Sequence, residues 1–445
     1  MTTNSSLTSH GTTQATGWTP SPNVRGTFDI IWTCLQTIAL CAWTSICVNL
    51  PSQYDGSSEI MRDKFNFLLL NLLSPDLVFL LAYLQLESAR ASVTRFRADG
   101  YHDWTVTHAF YADMGGFAVQ APNWKRFPVN ARQLHYLVSK KYIEYPLIPL
   151  RDIKAKAKTD GLGRVITIGQ IVFFTVTTLG RVVQHLAITT LELTTLGFVL
   201  CTVATSICWW YKPNDVEVGH TLTLCTSIDE ILRQAGKDAD GAYRDTPLDF
   251  VAPNRWAGNV IWPYCVNTLR QIGLFPDKHK SRPLQKLSSF SFPKPPSRYT
   301  ELLVLWLGLA YAAIFFAAWN FYFPTEVECL LWRIFTTMQC VLSAVVGLLQ
   351  VCRYTLPEKS RKLDAEAANV PHGFFHEVWN KQLNNSISKH PFYNVPLRSL
   401  LLTMPLCAAY CICRWYLLLE DIIGLRSVPL SAYQTVDWSR YWPSF

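Results

Sequence analysis

The chain has 445 residues, a mass of 50.7 kDa and a formal net charge of +8. Hydrophobic residues make up 49% of the chain and charged residues only 16%, whereas an average soluble domain carries about 25% charged residues. This composition excludes an intrinsically disordered chain, and 13 cysteines are too sparse for a disulfide-dense secreted scaffold.

Seven apolar runs predict transmembrane helices, because about 20 helical residues cross the hydrocarbon core of a bilayer. The runs are apolar on all sides, which favours a membrane bundle over a soluble helical protein. We predict an all-α polytopic bundle with about seven, and between six and eight, transmembrane helices and sizeable helical loops. The runs comprise residues 30–50, 65–86, 165–186, 190–211, 302–323, 329–351 and 400–419.

Between these runs lie polar segments that divide the chain into alternating parts. Residues 1–26 are rich in Thr, Ser and Gly and are predicted to form a disordered tail. The parts that follow are a first transmembrane pair (27–86), a polar loop (87–164), a second pair (165–211), a polar loop (212–301), a third pair (302–351), a polar loop (352–399), a last helix (400–424) and a C-terminal tail (425–445).

The second apolar run contains Asp76 directly after Pro75. An ionisable group near the bilayer centre costs at least about 2.5 to 3.5 kcal/mol, and proline kinks a helix by removing a backbone donor. We interpret Asp76 as a candidate catalytic group that lines a polar cavity. The alternative is a loop that joins two short helices.

The first large loop contains a short helix that is predicted to begin near Thr105 and to stop at Gly115. His108 and Asp113 lie on it and are candidate binding residues, although a spacing of five does not place them on one helix face. The basic segment from Arg151 to Arg164 precedes the third apolar run and predicts contact with lipid head groups. It lacks the interleaved aromatic residues of a nucleic-acid interface, so we expect no nucleic-acid partner.

Arg181, His185 and Glu192 flank the tight turn between the third and fourth apolar runs. We expect Arg181 and Glu192 to form a charge-assisted pair that pins this hairpin. The alternative is a ligand or proton-transfer role, with Arg181 as a binding residue and His185 and Glu192 as catalytic ones. Arg414 lies about five residues from the end of the last run and is expected to snorkel to the interface.

No metal site or cofactor is predicted. His372 and His376 share a helix face, but no third ligand is evident, and Asp238 and Asp240 are interpreted as a polar turn. The sequence also lacks a Walker loop, histidine boxes and paired Asp-rich motifs.

Two orientation signals disagree. Lys and Arg are concentrated in the loops that follow the second, fourth and sixth runs, which places these loops and the N-terminal tail in the cytosol. The two glycosylation sequons, at Asn4 and Asn384, fall on that same side although glycosylation is lumenal.

Several fragments, in conserved order along the chain, are similar to a large family of uncharacterised fungal multi-pass membrane proteins. The resemblance implies a fungal source, a multi-pass helical fold and, for some members, residence in secondary-metabolite gene clusters. The resemblance implies no active-site residues for this chain. The fragments comprise residues 25–34, 104–105, 108–112, 114–117, 190–193, 210–213 and 433–439.

These observations favour an enzyme of the cyclase or isomerase type, or an accessory protein, that acts on a lipophilic intermediate such as a terpenoid or polyketide. Other membrane-bound pathway enzymes are expected partners, and an endomembrane such as the endoplasmic reticulum is the expected location. The alternatives are a transporter or receptor for a small molecule and a non-catalytic membrane scaffold.

Overall fold

The computed structural model describes residues 14–17, 19, 25–122, 124–157, 161–236, 245–251, 283–293, 297–355 and 397–438. Within them the chain is mostly helical and also contains two small sheets. The helices are α1 Thr27–Thr44, α2 Ser57–Leu73, α3 Pro75–Ala98, α4 Val106–Asp113, α5 Ala131–Ser139, α6 Leu150–Lys156, α7 Gly161–Val183, α8 Thr190–Cys208, α9 Ile228–Ala235, α10 Arg298–Ile314, α11 Glu326–Thr355 and α12 Leu397–Ile423. The strands are β1 Gln14–Thr16, β2 Phe117–Gln120, β3 Phe127–Val129, β4 His220–Thr223 and β5 Ser427–Pro429.

Four helical segments in the described part of the chain are long and apolar enough to cross a membrane. They are Leu162–Val183, Thr190–Cys208, Arg298–Asn320 and Glu326–Leu349. The bent pair of α2 and α3 makes a fifth if it is counted as one span. The expected multi-pass helical fold is therefore confirmed in part: the sequence predicts about seven spans over the whole chain, and the described residues contain four to five candidates.

The bent pair replaces the second predicted span. α2 ends at Leu73, α3 begins at Pro75, and the two helices meet at an angle of 113°. Proline suits the first turn of a helix but cannot continue a preceding one, so the break falls at this point. Asp76 thus lies in the first turn of α3, beside the break.

The described parts of the polar loops at 87–164 and 212–301 pack together around a three-stranded sheet of order β3-β2-β4, and we call this region the sheet domain. β2 pairs antiparallel with β3 and parallel with β4, which lies about a hundred residues further along the chain. Gly116 allows a close approach here, because a Cβ at this position would lie 2.5 Å from the Tyr111 ring. The presence of this sheet corrects the all-α prediction. Strands of three or four residues are too short for the alternation of apolar and polar residues to be recognised in the sequence.

Both ends of the bent pair reach this sheet domain. Directly before α2, Asp55 forms an ion pair of 2.6 Å with Lys286 of the second polar loop, and in the middle of α2 Lys64 forms one of 2.7 Å with Asp215, which lies between α8 and β4. Near the end of α3, the Phe96 ring stacks on Trp104 with a centroid separation of 4.2 Å. The start of α2 and the end of α3 therefore both lie at the sheet domain, and the break lies between them.

The two termini of the described chain meet at the opposite end of the bundle. β1 pairs antiparallel with β5, with Gln14 opposite Pro429, and the Thr27 hydroxyl lies 3.1 Å from the Tyr433 hydroxyl. Residues 14–16 of the tail that was predicted to be disordered are therefore ordered by a strand from the other terminus.

Candidate functional site

The break between α2 and α3 is contacted by one face of α12. The Tyr410 hydroxyl donates a hydrogen bond of 2.8 Å to Asp76 Oδ2. One turn further along α12, Arg414 Nε donates a hydrogen bond of 3.0 Å to the Leu73 carbonyl. The last carbonyls of a helix lack partners within that helix, so Arg414 satisfies one that the break leaves open.

Aromatic rings of α10 and of the 3-10 turn that follows it cover the Arg414 guanidinium. Its central carbon lies 5.4 Å from the Tyr311 ring centre and 5.2 Å from the Phe315 ring centre. Arg414 is 1% exposed, Phe315 is fully buried and Tyr311 is 5% exposed. Cation–π contacts of this kind stabilise a desolvated guanidinium.

Four groups at this cluster are buried without a hydrogen-bond partner among the described residues. They are Asp76 Oδ1, both terminal nitrogens of Arg414 and the Tyr311 hydroxyl. Buried polar atoms in folded proteins are nearly always hydrogen-bonded, so several such atoms in one place indicate a position for a ligand or for water. We call Asp76, Tyr311, Tyr410 and Arg414 the break cluster.

Arg181 holds the C-terminal tail. Its side chain is 1% exposed and donates to the carbonyls of Gln434 at 2.8 Å, Ala432 at 2.9 Å, Ser431 at 3.1 Å and Ala187 at 2.7 Å. These bonds fix the tail to the turn between α7 and α8.

Glu192 is paired more closely with Arg25 than with Arg181. The Arg25 guanidinium lies 2.7 Å from Glu192 Oε1, whereas Arg181 Nε is 3.8 Å away. Glu192 Oε2 accepts hydrogen bonds from the Thr189 amide and hydroxyl, which forms the capping box of α8. His185 is exposed, with a φ of 56°, in the turn after α7.

His108 and Asp113 lie in the sheet domain, and the structure does not bring them to Asp76. His108 Nδ1 lies 2.7 Å from the Thr105 hydroxyl, and its Nε2 lies 2.8 Å from the Ile148 carbonyl. Asp113 accepts hydrogen bonds from the Ala131 amide at 2.9 Å and the Ser88 hydroxyl at 3.3 Å. Burial raises the pKa of the Asp113 carboxyl above its ordinary value, and these bonds oppose that shift.

Comparison with known proteins identifies a family. A model described as "Family of unknown function (DUF8562)" matches residues 2–234 and 300–445. The chain belongs to this family. No curated protein and no solved structure matches the chain significantly.

Sequence reasoning placed Asp76 among the catalytic candidates of this family member but missed Tyr311, Tyr410 and Arg414. Arg414 was expected to snorkel, and its burial corrects that expectation. One feature of the sequence could have identified Tyr410 and Arg414 as neighbours. They are four residues apart in the same apolar run and therefore share a helix face.

The other expectations from the sequence concern metal binding, the sequons and the basic segment. The described residues contain no group of three or more His, Cys, Asp or Glu side chains that could hold a metal ion. The sequons and the His372 and Asp238 segments lie outside the described residues. In the basic segment, Arg151, Lys154 and Arg164 are exposed.

Proposed function

We propose that this protein is a membrane-embedded enzyme of the cyclase or isomerase type, acting on a lipophilic intermediate such as a terpenoid or polyketide. The observation that carries the proposal is the break cluster. It combines the partly buried Asp76 carboxylate and Tyr410 phenol with the buried Arg414 guanidinium and Tyr311 phenol, and several of their polar atoms are left unpartnered.

The cluster has the components for proton transfer. A carboxyl such as Asp76 gives or takes a proton at a carbon or oxygen of the bound molecule. The Arg414 nitrogens and the Tyr311 hydroxyl donate hydrogen bonds to an oxygen on which charge develops during the reaction. Tyr410 holds the Asp76 carboxylate in place through its 2.8 Å hydrogen bond.

The pathway assignment is supported by the resemblance to fungal membrane proteins, some of which reside in secondary-metabolite gene clusters. Membership of such a pathway supports location in an endomembrane and association with other membrane-bound pathway enzymes. The exposed cations Arg151, Lys154 and Arg164 support contact with anionic lipid head groups.

We also propose a membrane topology of six crossings, formed by the four candidate spans in α7, α8, α10 and α11 together with α1 and α12, which overlap the first and last apolar runs of the sequence. In this arrangement the α2–α3 pair is re-entrant. It is supported by the pairing of β1 with β5, which requires an even number of crossings, and by the return of α3 to the sheet domain. Irregular backbone at membrane depth is tolerated where protein surrounds it, as at this break.

The topology makes a prediction for reporter fusions. The Lys and Arg content of the loops favours a cytosolic sheet domain, so we expect reporters after residue 236 to be cytosolic and reporters at both termini to be lumenal. Correspondingly, Asn4 should be accessible to glycosylation and Asn384 should not. A cytosolic N-terminal reporter combined with a lumenal C-terminal one would contradict the six-crossing arrangement.

A transporter is the second candidate function, and one observation favours it. Transporters place substrate sites at discontinuous helices near the bilayer midplane, and the 113° break beside Asp76 is such a discontinuity. A receptor for the same molecule or a non-catalytic scaffold would use the bundle without chemistry at Asp76.

Deletion of the gene in its native host distinguishes these functions. Accumulation of an uncyclised or unrearranged precursor, reversed by the wild-type gene, is the result that we expect of an enzyme. Unchanged metabolite structures with altered export would indicate a transporter, and an unchanged metabolite profile would contradict both.

A further inference from the structure

The Arg414 guanidinium is only partly used by the protein. Its Nε is bonded to the Leu73 carbonyl, whereas both terminal nitrogens are buried and have no hydrogen-bond partner among the described residues. Two adjacent N–H groups in one plane form a fork that matches the two oxygens of a carboxylate. The rings of Tyr311 and Phe315 hold this fork in place.

We propose that the break cluster binds the carboxyl group of a lipophilic acid, with the two carboxylate oxygens on the terminal nitrogens of Arg414. This inference rests on the proposed function and adds the class of the substrate's polar group. The apolar helices around the cluster would surround the hydrocarbon part of the acid.

Charge balance favours a carboxylic acid over a phosphate. Arg414 already interacts electrostatically with two carboxyls, Asp76 and the buried Asp421, and the low-dielectric surroundings penalise any further negative charge. A neutral acid preserves the balance if its O–H bond breaks and the proton passes to Asp76 Oδ1, which is unpartnered. The resulting carboxylate then pairs with Arg414, whereas a dianionic phosphate would leave an excess negative charge.

The transferred proton connects binding to chemistry. Two carboxylates at one site do not both remain ionised, so the bound acid keeps Asp76 protonated. Protonated Asp76 is a general acid beside the hydrocarbon chain of the substrate. Binding of the correct polar group thus prepares the proton donor that the proposed cyclisation or isomerisation needs.

The test is binding of radiolabelled oleic acid to the purified full-length protein in lipid nanodiscs. Oleic acid should bind at least about tenfold more tightly than methyl oleate or oleyl phosphate, because these lack either the ionisable proton or the matching charge. Arg414→Gln should abolish the preference for the acid. Arg333→Gln is the matched control, because Arg333 donates an exposed hydrogen bond to the Trp319 carbonyl and takes no part in the break cluster, and it should leave the preference unchanged.

Proton uptake separates the roles of the two charged residues. Asp76→Asn should still bind oleate through Arg414 but should lose the proton that accompanies binding in the wild type. Equal binding of oleic acid and methyl oleate by the wild-type protein would overturn the inference, and this comparison does not depend on any variant folding. Acid binding without an effect of Asp76→Asn on the metabolite would leave this site in place and contradict only the enzyme.

Discussion

Asp76→Asn is expected to reduce formation of the pathway product at least about 100-fold, the lower limit for loss of a general acid or base. The asparagine keeps an oxygen that accepts the hydrogen bond from Tyr410, so the shape of the cluster is retained. The ability to exchange a proton is lost. Product is measured in the native host and compared per amount of protein in membranes.

The same substitution removes one of the two carboxyls, Asp76 and Asp421, that interact electrostatically with the buried Arg414 guanidinium. Arg414 is then balanced by Asp421 alone, so Asp76→Asn should also lower the free energy of unfolding, by less than the about 3 to 5 kcal/mol that breaking a buried charge pair costs. The double variant Asp76→Asn with Arg414→Gln removes both charges and should recover part of this stability without recovering product. Stability and chemistry are thereby measured separately.

A matched surface substitution provides the control. Asp99→Asn changes an exposed carboxylate whose partner is His135, and it should alter neither product nor stability appreciably. Wild-type product from Asp76→Asn would remove Asp76 from the catalytic site. Product loss in the single variant with full recovery in the double variant would show that Asp76 only balances the charge of Arg414.

Arg181→Gln is expected to produce the largest loss of folded protein. Four backbone carbonyls, three of them in the C-terminal tail, accept hydrogen bonds from this buried guanidinium. Glutamine cannot reach all of them, and each buried carbonyl left without a donor costs about 1 to 3 kcal/mol. Abundance in membranes and the melting temperature of the purified protein should both fall.

The charge swap of Arg181 with Glu192 is not expected to restore the protein. A glutamate at position 181 cannot donate to carbonyls, and Arg25 would then face an arginine at position 192. Arg90→Gln, at an exposed ion pair with Glu87, is the control and should behave as wild type. Recovery of half or more of the lost protein by the swap would show that the pair with Glu192, and not the tail, is what Arg181 stabilises.

Hydrophobicity alone determined the class of this protein. A run of about 20 apolar residues signals a helix that can lie in a membrane without any knowledge of its neighbours, which is why α7, α8, α10 and α11 were located correctly. The ends of a helix could also be predicted from its capping residues. Helix α4 begins after Thr105 and ends before Gly115, which has a φ of 87°, as the sequence predicted.

Contacts between residues that are distant in sequence are determined only by the tertiary structure. The strand pairing β2–β4 joins two loops, and β1–β5 joins the two termini, and no local pattern encodes either contact. The break cluster also depends on contacts between residues that are distant in sequence. The sequence identifies Asp76 as a candidate because a carboxylate in an apolar run is energetically costly. Its partner Tyr410 lies 334 residues away, so no local pattern connects the two. Hydrogen bonding in a low-dielectric interior depends on which helices pack together, and that packing is a property of the whole fold.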